Sequence, residues 1–284
     1  MRQKTRNQEE FELWLDAHLG EFREYLEMNH KAVNTIRAYV YAIRQFYENY
    51  QEMTENSLQI YKLYLVEHYK PQTVNLRIRA LNSYLEYIGN TEIRIPMIRV
   101  QQKLYLENVI SEADYEYMKR CLMRDGEWLY YFLIRYMAAT GMRVSEVTKV
   151  TVEDVRVGQK DLYSKDNKVR RIYIPKCLKE DTLGWLKREN RESGPVFLNQ
   201  NREVITAAGI RGQLKKFAAL YGISETVVYP HSFRHRFAKS FIERCGDISM
   251  LSDLLGHESI ETTRIYLRRT STEQQQIVNH VVDW

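Results

Sequence analysis

From Ala32 to Tyr50 the apolar side chains fall at Val33, Ile36, Val40, Ile43, Phe46 and Tyr47. This is the i, i+3, i+4 spacing of an amphipathic helix, and it leaves Arg37 and Arg44 off the apolar stripe. A second stripe, Val74, Ile78, Leu81, Leu85 and Ile88, predicts a helix from about Gln72 that stops at Gly89 and carries Arg77 and Arg79 on its outward face. Shorter helical patterns at Phe11–Leu19 and Ser57–His68 complete a bundle of four or five helices, with Phe11, Trp14 and Leu15 as core residues. Between Asn90 and Glu107 the periodicity fails. Thr91-Glu-Ile-Arg-Ile-Pro96 reads as extended, and Pro96 blocks a helix, so this stretch is the expected linker.

Beyond the linker, Ser111-Glu-Ala-Asp114 fits an N-cap with an acidic first turn, opening a helix to about Arg124. A strongly apolar helix, Trp128 to Thr140, then closes at Gly141. After Glu146 the pattern alternates. Val155-Arg-Val157, Asp161-Leu-Tyr163, Arg171-Ile-Tyr-Ile174 and Val196-Phe-Leu198 are short and rich in β-branched or aromatic residues, and they predict a small antiparallel sheet. Ser164-Lys-Asp-Asn-Lys168 is the turn between the second and third of these segments, and helices return from Thr206. The expected fold is mainly α with a small antiparallel β-sheet. An N-terminal helical bundle fills residues 1–104, and a mixed α+β catalytic domain fills residues 105–284.

The 284 residues suffice for two cores, and 44 % apolar with 28 % charged residues is ordinary globular usage. The longest apolar stretch, Trp128 to Ile134, stops at Arg135 and is too short to span a membrane. The basic start, Met1-Arg-Gln-Lys-Thr-Arg6, runs into Glu9, Glu10 and Glu12 without an apolar segment, which argues against export. Cys121, Cys177 and Cys245 are far apart and lack a nearby metal-ligand pattern, so neither a disulfide framework nor a metal site is expected, and the location is read as cytoplasmic. The net charge of +5 divides as +1 on residues 1–104 and +4 on the rest, a weak hint of a polyanionic partner. The local clusters Lys168-Val-Arg-Arg171, Arg234-His-Arg236 and Arg264-Ile-Tyr-Leu-Arg-Arg269 say more.

No Walker-type loop, HExxH or GxSxG is present. What stands out is Thr140-Gly-Met-Arg-Val-Ser-Glu146, then His231-Ser-Phe-Arg234, then Leu254-Leu-Gly-His257, then Thr263-Arg-Ile-Tyr266. In this order the four segments resemble the tyrosine recombinase (phage integrase) family over roughly residues 106–270. The first domain resembles that family's core-binding domain more loosely, and the whole is similar to the short, two-domain members.

The resemblance implies Arg143 as the first catalytic arginine, His231 and Arg234 as an HxxR pair, His257 as the second histidine and Tyr266 as the nucleophile. It also implies a catalytic lysine on a hairpin turn. Aligning the turn selects Lys165, with Lys168 the other choice because Ser164 and Asp166 stand where the family has glycines. Glu146, three residues after Arg143, is expected on the same helical face as a residue that orients the site.

The chemistry wants these residue types. Guanidinium groups stay charged and bind phosphate oxygens through paired N–H donors, a role suited to Arg143 and Arg234. A phenol titrating near ~10 needs a base or a cationic pocket before it attacks phosphorus. His231 is the expected base, assisted by the field of the arginines, and His257 the donor to a phosphate oxygen. A lysine reaching into a groove can protonate the leaving 5′-oxygen. Because a phosphotyrosine conserves the bond energy, no cofactor is expected.

Double-stranded DNA is the expected partner, with four protomers assembling on paired sites. Arg37, Arg44, Arg77, Arg79, Lys168 and Arg264 are the candidate DNA contacts, and His235 reads as structural. The apolar tail, with Ile277, Val278, Val281, Val282 and Trp284, is expected to dock either on a neighbouring protomer or on its own domain. The competing readings are topoisomerase-like nicking and rejoining, or a DNA-binding protein that keeps the fold without catalysis.

Overall fold

A computed structural model describes residues 6–100, 108–163, 169–257, 259–267, 279 and 282, with side chains from residue 10 onward. The chain divides into two compact units, Met1–Gln102 and Lys103–Trp284.

Four helices build the described part of the first unit: α1 (Arg6–Met28), α2 (Val33–Tyr47), α3 (Glu55–His68) and α4 (Pro71–Tyr87). Helix α4 touches all three others, because its stripe of Val74, Ile78, Leu81 and Leu85 meets Phe22, Leu26, Ile43, Phe46 and Leu65 in one fully buried cluster. Local signals set the ends. Thr54 caps α3 through a reciprocal pair with Ser57, and Pro71 occupies the first turn of α4, where a missing N–H costs nothing.

The extended segment after α4 belongs to this unit. The Asn82 side chain donates to Ile95 O and accepts from Ile95 N, and Asn75 does the same for Ile98, at 2.9–3.0 Å. Two side-chain amides on α4 thus replace the strand partner that the extended backbone lacks, and Ile95 is buried beneath them.

The second unit opens with α5 (Glu112–Arg124), capped by Ser111 as its sequence predicts, and α6 (Trp128–Thr140), which ends at Gly141 with φ +65°. Two short helices follow, α7 (Val144–Val147) and α8 (Val152–Val157), then β1 (Gln159–Tyr163) and β2 (Val169–Tyr173). After these come α9 (Lys176–Arg188), α10 (Ala207–Leu220), α11 (Pro230–Cys245), α12 (Ile248–Leu255), α13 (Ile260–Thr263) and a single 3₁₀ turn, Arg264–Leu267.

Helices α6 and α11 pack extensively against each other in a core that includes Leu133, Met137 and Phe233. The chain enters this unit pinned to α11, since the Ile110 amide donates to the buried Ser232 hydroxyl at 2.8 Å.

Two of the expected strands are absent. Val155–Val157 is the end of α8, because Thr151 and Asp154 form a capping box that nucleates a turn, and this local bonding outweighs the β preference of the valines. Val196–Leu198 is not part of a ladder; its neighbourhood shows only single bridges, Thr151 with Pro195 and Leu198 with Val204. Among the described residues the sheet is β1 paired antiparallel with β2, Gln159 opposite Tyr173 and Asp161 opposite Arg171. The Asp161–Arg171 cross-strand pair is bidentate, at 2.7 and 2.8 Å. The turn holding Lys165 and Lys168 lies outside the described residues. No described helix is long and apolar enough to cross a membrane.

Candidate functional site

Four segments distant in sequence meet around the C-terminal end of α12. Arg143 precedes α7, and its Nη1 donates to Glu146 Oε1 at 2.9 Å while its Nη2 donates to Gly256 O at 3.3 Å. Glu146 does not share a helical face with Arg143. It reaches back from the first turn of α7 to accept from the Arg143 backbone amide at 2.6 Å, so Arg143 is the residue before the helix rather than on it.

Arg234, on α11, is 4 % exposed. Its Nη1 donates to Gly141 O, and its Nη2 donates to Leu255 O at 2.6 Å and faces His257 Nε2 at 3.2 Å. Burial, together with Arg143 and Arg170 nearby, lowers the Arg234 pKa to about 10. It still carries its charge at neutral pH.

The αL residue Gly141 ends α6 and brings its carbonyl to Arg234. A side chain there would meet the Phe237 ring at 2.5 Å, so only glycine fits both the backbone and the space.

Arg170, on β2, closes the cluster. Its Nη1 donates to Leu255 O and its Nη2 to Glu146 Oε2 at 2.7 Å. Sequence reasoning placed Arg170 in a basic run without giving it a role. Its position next to the hairpin turn was the available signal.

A guanidinium only donates, so His257 Nε2 must accept from Arg234. The ring proton of a neutral His257 then sits on Nδ1, which donates to Thr263 Oγ1 at 2.8 Å. Burial first, then Arg234, Arg143, Arg170 and His235, lowers its pKa to about 4.

Tyr266 lies in the 3₁₀ turn, 7 % exposed, against Ala238, Ile242, Leu251 and Leu255. Its hydroxyl is 2.7 Å from His235 Nδ1. Burial raises the phenol to about 12, opposed by Arg234 and reinforced by Tyr229. The field of the arginines therefore does not make this phenol more acidic than usual, because desolvation is the larger effect.

The tyrosine's hydrogen-bonding partner is His235, which the sequence marked as structural, and not His231. His231 lies at the surface with one flank packed against the domain. Burial of that flank, then Arg234, Arg143 and Arg211, lowers its pKa. The His231 and His235 rings are 6.3 Å apart on successive turns of α11.

The candidate DNA contacts have different fates. Arg37 and Arg79 are exposed on α2 and α4. Arg44 is exposed but paired with Asp16 at 2.6 Å, and Arg264 is paired with Glu261 at 2.9 Å. Arg77 is not on the outward face of α4. It is 7 % exposed, with its guanidinium 3.9 Å above the Tyr69 ring and its Nη1 buried without a partner. Tyr41 and Tyr69 cover it, and an aromatic lid on a long polar side chain is not visible in a helical stripe. Lys168 and the tail residues Ile277, Val278, Val281 and Trp284 lie outside the described residues.

Among the described residues no three His, Cys, Asp or Glu side chains converge as a metal site. A cleft of about 1040 Å³ between Trp128, Trp185, Arg191 and Arg202 shares no residue with the cluster.

A helical domain joined to a mostly helical domain with a β-hairpin, in which arginines, histidines and a tyrosine gather at a helix end, defines a tyrosine-type DNA recombinase class. Residues 106–273 match the Phage integrase family, and residues 19–95 match the Phage integrase, N-terminal SAM-like domain. The chain is 30 % identical over 290 residues to Tyrosine recombinase XerA of Pyrococcus furiosus, covering 98 % of this chain and 96 % of that one.

Among solved structures, the Tn1549 transposon integrase in complex with a circular intermediate DNA gives a TM-score of 0.72 at 17 % identity, covering 93 % of this chain and 99 % of that chain. The XerH site-specific recombinase bound to its difH substrate gives 0.68 at 18 % identity, covering 87 % of this chain and 79 % of that chain. These two share the fold. The chain belongs to the phage integrase family, and its activity is site-specific DNA recombination of the tyrosine type.

Proposed function

We propose that Tyr266 cuts one strand of duplex DNA by attack of its hydroxyl oxygen on a backbone phosphate. The Tyr266 O–P bond forms, the P–O5′ bond breaks, and a 3′-phosphotyrosine remains until a 5′-hydroxyl reverses the step. Arg143 and Arg234 hold the non-bridging oxygens, where negative charge builds up in the transition state. His231 takes the phenolic proton by way of His235, whose Nδ1 faces the hydroxyl at 2.7 Å. His257 donates to the phosphate once its bond to Arg234 is given up and its ring proton has moved from Nδ1 to Nε2, with Thr263 Oγ1 then donating to Nδ1. Lys165, or Lys168 in its place, protonates the 5′-oxygen. The ester stores the energy of the broken bond, so rejoining needs no nucleotide.

The observation that carries this reading is the placement of Arg234 and the Tyr266 partner His235 at consecutive positions of one helix, with Arg143 and Arg234 both bonded to carbonyls at the end of α12. The domains, residues 1–104 and 105–284, both bind the duplex. Four protomers on two sites, within the cytoplasm, complete the exchange.

The test is incubation with a nicked suicide duplex built on the sequence that the full-length protein selects from a random pool, followed by mass mapping of the adducted peptide. The adduct is expected on Tyr266, and Tyr266→Phe is expected to bind DNA as the parent does without forming it. An adduct in that variant assigns the nucleophile elsewhere. Absence of an adduct in the parent favours DNA binding without catalysis, and supercoil relaxation without exchange of strands between sites favours the topoisomerase-like reading.

A further inference from the structure

We propose that His235 is a positioning residue for the reaction: its Nδ1 accepts the hydrogen bond of the Tyr266 hydroxyl and thereby aims the attacking oxygen. The proposal rests on the reading of Tyr266 as the nucleophile and adds a residue to which neither the motifs nor the family resemblance gives a role.

Ala238, Ile242, Leu251 and Leu255 confine the tyrosine ring. Apolar contacts have no preference for the direction of an O–H bond, so they cannot aim the oxygen. His235 Nδ1, at 2.7 Å, can. A phenol that donates its proton to this nitrogen keeps its oxygen lone pairs free for phosphorus. The imidazole stays in the neutral form this requires, since burial, His231 and Arg234 all oppose its protonation.

The backbone adds a second argument. Arg234 and His235 are adjacent on α11, yet they point to different groups, Arg234 to the carbonyls of Gly141 and Leu255 and His235 to the Tyr266 hydroxyl. One peptide unit therefore sets the offset between a phosphate-binding cation and the attacking atom, on a helix fastened to the domain core through Phe233 and Ser232. A site built on one rigid element holds such an offset better than one shared between loops.

The test uses the full-length protein and the nicked suicide duplex described above, with DNA affinity and the single-turnover rate of adduct formation measured separately. His235→Ala is expected to bind DNA as the parent does and to form the adduct roughly 100-fold more slowly, the cost of an ångström-scale misplacement. His235→Asn puts an amide atom the same number of bonds from Cα as Nδ1, and is expected to recover at least about tenfold of that rate.

Sulfur in place of the bridging 5′-oxygen makes a leaving group that needs no proton, and it is expected to leave the His235→Ala defect in place. Parent-like cleavage by His235→Ala overturns the proposal. So does an Asn variant no faster than Ala, or rescue by the sulfur substrate, which assigns His235 to the leaving group.

Should the Ala variant fail to fold, ¹⁵N-histidine spectra of the parent decide. A His235 Nδ1 without a bonded proton that shifts on Tyr266→Phe supports the proposal, and a protonated or unresponsive Nδ1 overturns it. An adduct formed by Tyr266→Phe shows instead that the underlying choice of nucleophile is wrong.

Discussion

Arg170 and Glu146 form a 2.7 Å ion pair between β2 and α7, and the same carboxylate accepts from the Arg143 side chain and backbone. One acid thus ties the hairpin to the residue that precedes α7. The Arg170 side chain is 11 % exposed and Glu146 is its counter-ion, so losing this partner leaves a charge in a site poor in water.

Glu146→Ala is therefore expected to lower unfolding stability by about 2–3 kcal/mol, somewhat less than for a fully buried pair. Cleavage should also slow, because Arg143 loses the group that orients it. Glu146→Gln keeps a hydrogen-bond acceptor and should lie between the two. Urea denaturation and adduct formation on the suicide duplex measure the two effects.

Gly141→Ala tests the junction of α6 with Arg234. The added Cβ meets Phe237 at 2.5 Å on a backbone with φ +65°. Gly126 has a similar φ of +72° with nothing within 4 Å, so Gly126→Ala isolates the backbone cost. That cost is about 1–2 kcal/mol, and Gly141→Ala is expected to exceed it by about 1 kcal/mol or more through overpacking. Comparing the two denaturation midpoints is the check.

Stability should fall on the acid side of neutrality for a reason traceable to the cluster. His235 and His257 titrate at about 4 when folded against 6.5 ordinarily, so the fold favours their neutral forms. Their contribution is fully present above pH 6.5 and is lost as the pH falls from 6.5 towards 4, where the unfolded chain takes up the protons first. With allowance for solvent screening, each is expected to cost about 1 kcal/mol at pH 5. The stability of His235→Asn, measured against pH, should decline less steeply than the parent's across that window.

The arginines of the first unit divide into two groups by exposure. Arg37→Ala and Arg79→Ala are each expected to lower the slope of log affinity against log salt by about 0.9 where the side chain meets a phosphate. Arg77→Ala should leave that slope unchanged and instead cost about 1–2 kcal/mol of stability, the loss of a desolvated cation over Tyr69. Salt titrations of DNA binding, with thermal unfolding of the same variants, separate the groups.

Local signals carried much of the fold. The stripe of α4, the Ser111 cap and the stop at Gly141 depend on bonds within a few residues, and each could be read directly. Val155 and Val157 misled because their strand preference is weak beside the Thr151–Asp154 capping box. The Asn75 and Asn82 clamps join residues far apart in sequence, and no periodicity reports them. At the site, the resemblance of four short motifs to the recombinase family is what implied Arg143, Arg234, His257 and Tyr266. The pairing of Tyr266 with His235 depends on how the 3₁₀ turn lies against α11, which only the fold reveals.

The carbonyls of Leu255 and Gly256 at the negative end of α12, with that of Gly141 at the end of α6, draw Arg143, Arg170 and Arg234 together. Mutual repulsion among three guanidiniums is thereby settled when the domain folds, not when nucleic acid arrives. On the proposed reading of the site, a phosphate entering here meets cations already gathered, so little of its binding free energy is spent on reorganising them, and more remains for bringing the strand into line with the tyrosine.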